Sequence, residues 1–527
     1  MLFNSVAYWL FFPLVCLGYA VCSSLIRRNS VTRLFLLAVS LFFYACWNPA
    51  YLSLILISVC ITYLSGLGME RWPARKKLVL VISLLSNLAI LFFFKYYNWF
   101  AVSANAIAGL LPGGFRPFAL SSFALPVGIS FYTFQALGYS IDVYQEKLPA
   151  ERNFVTYALF VTFFPQLVAG PIERTENLLP QFKCDYGFDY GRVTDGLKLA
   201  AWGMFMKVIV ADSIAPYVNG IYGDIGGATG CSVALATLFF AVQVYADFAG
   251  YSNIAIGCAE VLGFRLMKNF DHPYFSSSVP EFWRRWHISL GAWFRDYIYY
   301  PVGFASWNEK LCSVFCGKNR RRVSKMMGCV AFACVWLSTG LWHGAAWHFV
   351  AWGAVYGVYV ITSVLTKKLR ASVRVRLGLE KDGQVTRPWH YVQILITFFL
   401  VNIGYVFFRA DNMADAGMAL AKLFCLPAEL AGGIASVGRQ GLVSVVRELF
   451  VLHEGVSGFG FKLALRALLL CAMLFAASFV SRKEDGRKVL ARQPAAVRWL
   501  CYYAVSFVIA LSLLMTHEDV QFIYFQF

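Results

Sequence analysis

The run LVLVISLLSNLAILFFF, residues 78–94, decides the fold of this chain. It contains no charged residue and directly follows the basic cluster Arg75, Lys76 and Lys77. A helix needs about 20 mostly apolar residues to cross the hydrocarbon core of a bilayer. Because lipid cannot hydrogen-bond to an exposed backbone, a spanning run of this kind must be helical. Similar runs recur along the whole chain, so the sequence predicts an all-α, polytopic integral membrane protein.

The composition agrees with this class and excludes a soluble protein. Of the 527 residues, 59% are hydrophobic and 14% are charged, whereas soluble domains carry about 25% charged residues. The net charge of +18 resides in short loops between apolar runs, as the positive-inside rule describes. No soluble basic domain exists to bind nucleic acid. The 14 cysteines form no CxxC pair, so we expect no disulfide and no zinc site. We also expect no bound cofactor.

The apolar runs predict one membrane domain that covers residues 1–527. Its motif-bearing core is 120–410, and 411–527 forms the C-terminal helices. The first run has no basic leader and no clear cleavage site, so we expect it to be retained as a span. The candidate spans are roughly 7–26, 33–47, 50–67, 78–94, 119–139, 153–170, 198–218, 232–263, 327–343, 344–366, 391–408, 461–480 and 497–514.

The basic loops predict the orientation of these spans. They contain Arg27, Arg28, Arg33; Arg71, Arg75, Lys76, Lys77; Lys318, Arg320, Arg321, Arg322, Lys325; Lys367, Lys368, Arg370, Arg374, Arg376; and Arg482, Lys483, Arg487, Lys488, Arg492. With all of these in the cytosol, both termini lie outside and about 12 helices cross the membrane. Parity then requires that one run does not cross. Two prolines and a glycine favour a re-entrant segment at 160–172, around a central funnel.

His343 is the strongest candidate for chemistry. It lies in the stretch LWHGAAWH, residues 341–348, between Gly340 and Gly344, where we expect the helix to break. One interpretation is a core histidine that is hydrogen-bonded to a neighbouring helix. The other is a general base, since a buried neutral imidazole can accept a proton. We expect Trp342 and Trp347 to exclude water from it.

A metal site at the histidines is the next alternative. His343 and His348 are five residues apart, which is about 140° around a continuous helix. Two ligands so placed cannot share one face, so the spacing does not favour a metal site.

The stretch FWRRWHISL, residues 282–290, offers a second group of candidates. Arg284 and Arg285 are either interface residues between Trp283 and Trp286 or a clamp for the phosphates of a substrate such as coenzyme A or phosphopantetheine. His287 follows them in an otherwise apolar context.

Asp247 lies in the middle of a long apolar run, where a lone carboxylate is costly and must find a partner. One interpretation is a structural ion pair, with Lys207 or an arginine as the partner. The other is a direct role in the site.

Seven sequence blocks, in order, resemble the bacterial membrane-bound O-acyltransferases, and within that family the membrane subunits of alginate O-acetyltransferases. They are MLFNS (1–5), LPVGISFYTFQ (125–135), FPQLVAGPI (164–172), DFAGYS (247–252), FWRRWHISL (282–290), GLWHG (340–344) and FFRA (407–410). The closing FIYFQF (522–527) is also similar. Each block alone is weak, but their shared order is specific.

The resemblance implies a mechanism and a set of partners. His343 matches the family's catalytic base, and His287 occupies the place of a second polar active-site residue. Acetyl-CoA or an acyl carrier would supply the acyl group from the cytosol. A separate extracytoplasmic acetyltransferase would pass it to a polysaccharide such as alginate, at the cell inner membrane. His348 departs from the family pattern, which puts a direct role for it in doubt.

Other functions remain open at this stage. The same resemblance covers the D-alanyl transfer subunit of teichoic acid modification and the peptidoglycan O-acetyltransferase membrane subunit. A different class is a flippase or transporter, which paired broken helices in two related halves would support, but no such repeat is present. A non-enzymatic export scaffold would not need His343.

Overall fold

A computed structural model describes residues 1–26, 28–110, 117–184, 186–317, 319–452, 460–515 and 522–523. The fold is all-α, as predicted, with one small hairpin of β1 (Glu380–Lys381) and β2 (Gln384–Val385). Of the predicted features, Arg27, Lys318 and residues 524–527 of the closing block lie outside the described residues.

The chain divides into two compact units. The first contains Met1–Met204, Tyr251–Lys268 and Leu513–Phe527. Its helices are α1 (Val6–Ala20), α2 (Asn29–Ala45), α3 (Leu52–Arg71), α4 (Lys76–Leu91), α5 (Tyr97–Ala108), α6 (Ile129–Tyr144), α7 (Phe154–Thr162), α8 (Phe164–Leu167), α9 (Thr175–Leu178) and α10 (Tyr190–Met204). Short 3₁₀ turns occur at Pro49–Tyr51, Pro73–Arg75 and Pro180–Lys183, and π-helical turns at Val21–Ile26 and Phe92–Tyr96.

The second unit contains Phe205–Gly250 and Asn269–Ser512 and holds every predicted site residue. Its helices are α11 (Asp212–Gly223), α12 (Gly230–Val261, which continues into the first unit), α13 (Val279–Arg285), α14 (Ile288–Phe294), α15 (Tyr300–Gly303), α16 (Ser306–Cys316), α17 (Arg320–His343), α18 (Trp347–Leu365), α19 (Lys367–Arg376), α20 (Arg387–Arg409), α21 (Met413–Gln440), α22 (Leu442–Leu449), α23 (Phe461–Ser481), α24 (Gly486–Ala491) and α25 (Ala495–Met515). Phe205–Ala211 and Arg295–Tyr299 are π-helical, and Pro273–Phe275 is a 3₁₀ turn.

Among the described residues, 11 helices are long and apolar enough to cross a membrane. They are Val6–Ser23, Pro49–Arg71, Pro73–Ala108, Tyr190–Gly223, Gly230–Val261, Arg320–His343, Trp347–Leu365, Arg387–Arg409, Met413–Gln440, Phe461–Ser481 and Ala495–Leu514, and Asn29–Ala45 is a shorter apolar helix. This confirms a multi-pass membrane protein. The outside location of both termini stays a prediction.

Two predicted spans are not continuous helices. Within 119–139, the helix begins only at Ile129, because Gly128, two residues after Pro126, adopts a left-handed conformation with φ of 73°. Within 153–170, α7 ends at Thr162 and the short α8 follows. The predicted break is therefore present, and Pro165 lies in the first turn of α8, where its missing N–H costs nothing. Whether this segment is re-entrant stays a prediction.

The helix α21 was not among the predicted spans. Asp415, Lys422 and Glu429 interrupt its apolar pattern, and Pro427 lies inside it. Its first turn is capped by the Asn412 side chain, which accepts a hydrogen bond from the Asp415 amide. Because charged residues recur along this 28-residue helix, it contains no long uncharged run that would predict a span.

Close packing of α17 against α18 positions the site. A Cβ atom on Gly340 would collide with the Phe349 carbonyl oxygen, and one on Gly353 would collide with that of Trp336. Small residues let two helix backbones approach in this way. The C-terminal end of α17 is thereby fixed against the start of α18.

Candidate active site

His343 is the last residue of α17, and its side chain is buried. Gly344 ends the helix in an extended conformation, with φ of −166° and ψ of 152°, and α18 begins at Trp347. The predicted helix break beside His343 is confirmed. The end of a helix places its last side chain against the turn that follows, so His343 lies at a discontinuity between two long apolar helices.

Aromatic rings surround the His343 imidazole. The ring centroids of Trp352 and Phe408 lie 4.8 and 5.3 Å away, at interplanar angles of 80° and 76°. Trp342 lies 5.0 Å away. Trp347 is 56% exposed, and its part in excluding water from His343 stays a prediction. Trp352, five residues further along α18, is buried and contacts the imidazole directly.

His287 is the second buried histidine, and it directly precedes α14. Its backbone is left-handed, with φ of 47°, a conformation that is uncommon for a residue other than glycine. The ring meets Phe248 of α12 edge-on at 4.6 Å, and Nδ1 lies 3.1 Å from Oδ1 of Asn269. Burial lowers the pKa of His287 to about 3, so the ring is neutral at physiological pH.

Trp342 contacts both histidines. Its ring centroid is 5.7 Å from that of His287 and 5.0 Å from that of His343. The structure therefore brings together the two residues that the sequence placed in separate motifs. Two buried imidazoles in contact with one indole form an arrangement that can move a proton at a hydroxyl or a thiol.

Trp283 belongs to an aromatic cluster that packs beside the site. Its ring packs 4.8 Å from Trp336, 5.5 Å from Trp352 and 4.9 Å from Tyr356. Because Trp352 in turn contacts His343, this aromatic cluster fixes one wall around the imidazole.

The two arginines of α13 have different surroundings. Arg285 forms an ion pair with Glu281, at 2.7 Å and one helical turn away. Arg284 is exposed. These surroundings favour phosphate binding by Arg284 alone over a clamp formed by both arginines. Binding of the donor at this position stays a prediction.

Asp247 is paired inside the second unit. Lys207 lies 2.6 Å from Asp247 and 2.8 Å from Asp212, and the side chains of Lys207 and Asp247 are each 3% exposed. The predicted ion pair with Lys207 is confirmed. Since the next residue, Phe248, packs on His287, this pair also holds one side of the site.

His348 lies on α18, beyond the break. Its Nδ1 atom lies 3.0 Å from the Phe407 carbonyl oxygen at the end of α20, a contact suited to holding two helices together. The angular argument that separated His343 from His348 was wrong, because no continuous helix joins them. In the described parts of the chain, no group of three His, Cys, Asp or Glu residues could hold a metal ion.

Sequence reasoning missed three contributors to the site. Asn269 has no motif of its own, because its partners lie 18 and 20 residues further along the chain. Trp352 resembles any other apolar residue of a span. Phe408 belongs to a block that marked the family, which was the one available signal.

The chain matches the family model of the membrane-bound O-acyltransferases over residues 145–408. It is 35% identical over 436 residues to "Probable alginate O-acetylase AlgI" of Azotobacter vinelandii, covering 80% of this chain and 78% of that protein. It is 31% identical over 445 residues to "Peptidoglycan O-acetyltransferase" of Helicobacter pylori, covering 79% and 78%. A "Teichoic acid D-alanyltransferase" of Streptococcus thermophilus is 27% identical over 293 residues, covering 54% and 68%.

This chain belongs to the membrane-bound O-acyltransferase family. It is an acyltransferase enzyme embedded in a membrane by many helices. Both buried histidines lie within the matched region. The transporter and scaffold alternatives therefore lose their basis.

Proposed function

We propose that this protein passes an acetyl group from cytosolic acetyl-CoA across the membrane for O-acetylation of an extracytoplasmic, alginate-like polysaccharide. The contact of His287 and His343 with one indole is the observation that carries the chemical part of the proposal. The activities named for the relatives that are 35% and 31% identical favour acetyl as the group and a cell-envelope polymer as the destination.

His343 acts as the general base in this proposal. It takes the proton from the acceptor hydroxyl while the hydroxyl oxygen attacks the thioester carbonyl. The carbon–sulfur bond then breaks, and His343 returns the proton to the leaving sulfur. A positioned base of this kind contributes about 10²–10⁴ in rate. Trp342, Trp352 and Phe408 exclude the water that would hydrolyse the thioester.

The donor would approach through its phosphates. Arg284 on the exposed side of α13 is the candidate to bind them, since a guanidinium can pair bidentately with a phosphate. An acyl carrier with a phosphopantetheine arm offers the same phosphate chemistry and is the alternative donor.

The acceptor side requires a partner. We propose a separate extracytoplasmic acetyltransferase that receives the acetyl group at the cell inner membrane. The D-alanyltransferase relative favours D-alanyl transfer as the second candidate, but it covers less of this chain and is less similar.

Purified protein with radiolabelled acetyl-CoA, the partner acetyltransferase and an alginate oligosaccharide as acceptor tests this proposal. We expect release of free CoA and labelling of an acceptor by the unaltered protein, and loss of both in His343→Ala. His390→Ala is the matched control, because His390 lies on α20 outside the histidine pair. CoA release by His343→Ala at the unaltered rate, with normal folding, contradicts the catalytic assignment. Labelling only with activated D-alanine favours the second candidate.

A further inference from the structure

Asn269 holds the corner from which His287 projects. Its Oδ1 atom accepts hydrogen bonds from the Ser289 amide at 3.3 Å and from the Ser289 hydroxyl at 2.9 Å. Its backbone carbonyl accepts from the Ile288 amide at 2.9 Å. The same Oδ1 atom lies 3.1 Å from Nδ1 of His287. Asn269 therefore contacts the left-handed residue His287 and both residues that follow it.

These contacts determine where the His287 proton lies. A backbone amide can only donate, so the Asn269 atom that faces Ser289 must be the carbonyl oxygen and not the amide nitrogen. A carbonyl oxygen can only accept, so the His287 Nδ1 atom must carry a hydrogen. A neutral imidazole has one N–H, and its other nitrogen then keeps a lone pair.

We propose that Asn269 is a positioning residue that holds His287 as the Nδ1–H tautomer, so that His287 Nε2 accepts a hydrogen bond from the acceptor hydroxyl. This inference rests on the proposed function for its catalytic consequence. The Nδ1–H tautomer excludes one of two possible roles for His287, namely donation of a hydrogen bond to the acyl group. An Nε2 atom with a lone pair cannot donate a hydrogen bond to the acyl carbonyl oxygen, but it can orient the hydroxyl that His343 deprotonates.

The surroundings of His287 favour a neutral hydrogen-bond acceptor at position 269. The ring of His287 is confined by Phe248 at 4.6 Å and Trp342 at 5.7 Å, so it cannot turn freely to exchange its nitrogens. The ionisable groups on the elements around it include Asp247 with its partner Lys207, Asp271, His272, Glu281 with its partner Arg285, Arg284 and His343. Asp247 forms an ion pair with Lys207. The group that faces Nδ1 of His287 is the neutral side chain of Asn269.

Nitrogen-15 NMR of histidine-labelled full-length protein in lipid vesicles tests the tautomer without any substrate. His287→Gln identifies the signals of His287. We expect the Nδ1 signal of a protonated nitrogen and the Nε2 signal of an unprotonated one. The opposite pattern, or an equal mixture of tautomers, overturns the proposal.

Two substitutions at Asn269 separate positioning from packing. Asn269→Asp keeps an oxygen acceptor and should keep the tautomer, but its negative charge favours the imidazolium. The pH at which His287 takes a second proton should therefore rise above that of the unaltered protein. Asn269→Leu removes the acceptor, and we expect a mixed tautomer and a loss of CoA release between about tenfold and about 10⁴-fold, the latter being the cost of a wrong histidine tautomer in a serine protease.

Ser289→Ala is the matched control, since it removes one hydrogen bond to Asn269 and leaves the contact with His287. It should keep the unaltered pair of nitrogen signals. If Asn269→Leu does not fold, the signals of the unaltered protein and of Asn269→Asp still decide the question. Absence of CoA release from the unaltered protein contradicts the proposed function alone, whereas an Nε2–H tautomer contradicts the role of Asn269 alone.

Discussion

The imidazole of His287 and the indole of Trp342 meet at a centroid distance of 5.7 Å and an angle of 64°. These residues come from different parts of the chain, one before α14 and the other in the last turn of α17. Because Trp342 is also adjacent to His343, any shift of the indole displaces both histidines. The site therefore depends on how the end of α17 is held as much as on the histidines themselves.

Replacement of Trp342 by Ala should uncouple transfer from hydrolysis. The lost indole opens space between the histidines and admits water, so the acetyl group should pass to water instead of the acceptor. We expect labelled acceptor to fall by more than about tenfold, the range that a misplaced catalytic group costs. Free acetate and CoA, measured together, check this. Trp499→Ala is the control, because Trp499 is 56% exposed on α25; equal effects of both replacements would argue against the role of Trp342.

The buried ion pair predicts a stability effect. Lys207→Met leaves Asp247 and Asp212 in an apolar surrounding without their cation, and removing one partner of a buried pair costs about 3–5 kcal/mol. We expect a clear fall in the thermal midpoint of the purified protein. The double variant Lys207→Met with Asp247→Asn should recover part of it.

Lys198→Met provides the matched comparison for this prediction. Lys198 pairs with Asp195 at 2.9 Å, but those side chains are 25% and 48% exposed, and such pairs contribute about 0–1 kcal/mol. A thermal midpoint that falls equally in both lysine variants would show that Lys207 is not a special buried cation.

The contact between α17 and α18 can be tested at its small residues. Gly353→Ala places a methyl group against the Trp336 carbonyl oxygen, so the helices must separate and His343 must move with α17. We expect a lower thermal midpoint, from a packing strain of about 1–3 kcal/mol, together with reduced transfer. Gly417→Ala serves as the control, since nothing lies within 4 Å of its new methyl group. Full activity of Gly353→Ala would mean that the helix contact does not position His343.

The sequence predicts much of this architecture because the bilayer imposes simple rules. Uncharged runs such as 78–94 must be helical, and their positions follow from length alone. The glycines around His343 predict the helix break correctly. The sequence fails where the signal is spread out, as in α21, whose charges are far apart, and at Ile129, where a turn replaces the first half of an apolar run.

The site is predicted less completely than the fold. His343, His287 and the Lys207–Asp247 pair have local signals, namely a polar group in an apolar run. The link between the histidines through Trp342 and the contact of Asn269 with His287 are tertiary contacts. No spacing rule relates residues 269, 287 and 342, so their proximity is visible only in the three-dimensional structure.

The donor site gives a prediction about binding. Replacement of both Arg284 and Arg285 by Gln should raise the KM for acetyl-CoA by more than about tenfold, the loss of one or two charge-assisted hydrogen bonds. Because Arg285 is paired with Glu281, Arg284→Gln alone should produce most of this effect. Initial rates at varied acetyl-CoA check it, with Arg285→Gln as the comparison. An unchanged KM in the double variant would assign both arginines to the membrane interface.

The three histidines of the site should differ in importance. His343→Ala should lose nearly all transfer, about 10²–10⁴-fold, because it removes the base. His287→Ala should lose less, since it removes a group that orients the hydroxyl. His348→Ala should lose least in rate, but it removes the contact with the Phe407 carbonyl at 3.0 Å that joins α18 to α20. Its effect should therefore appear as a lower thermal midpoint. Single-turnover rates and melting curves of the three variants check this order, and a rate loss for His348→Ala as large as that for His343→Ala would require a direct role for His348 in the chemistry.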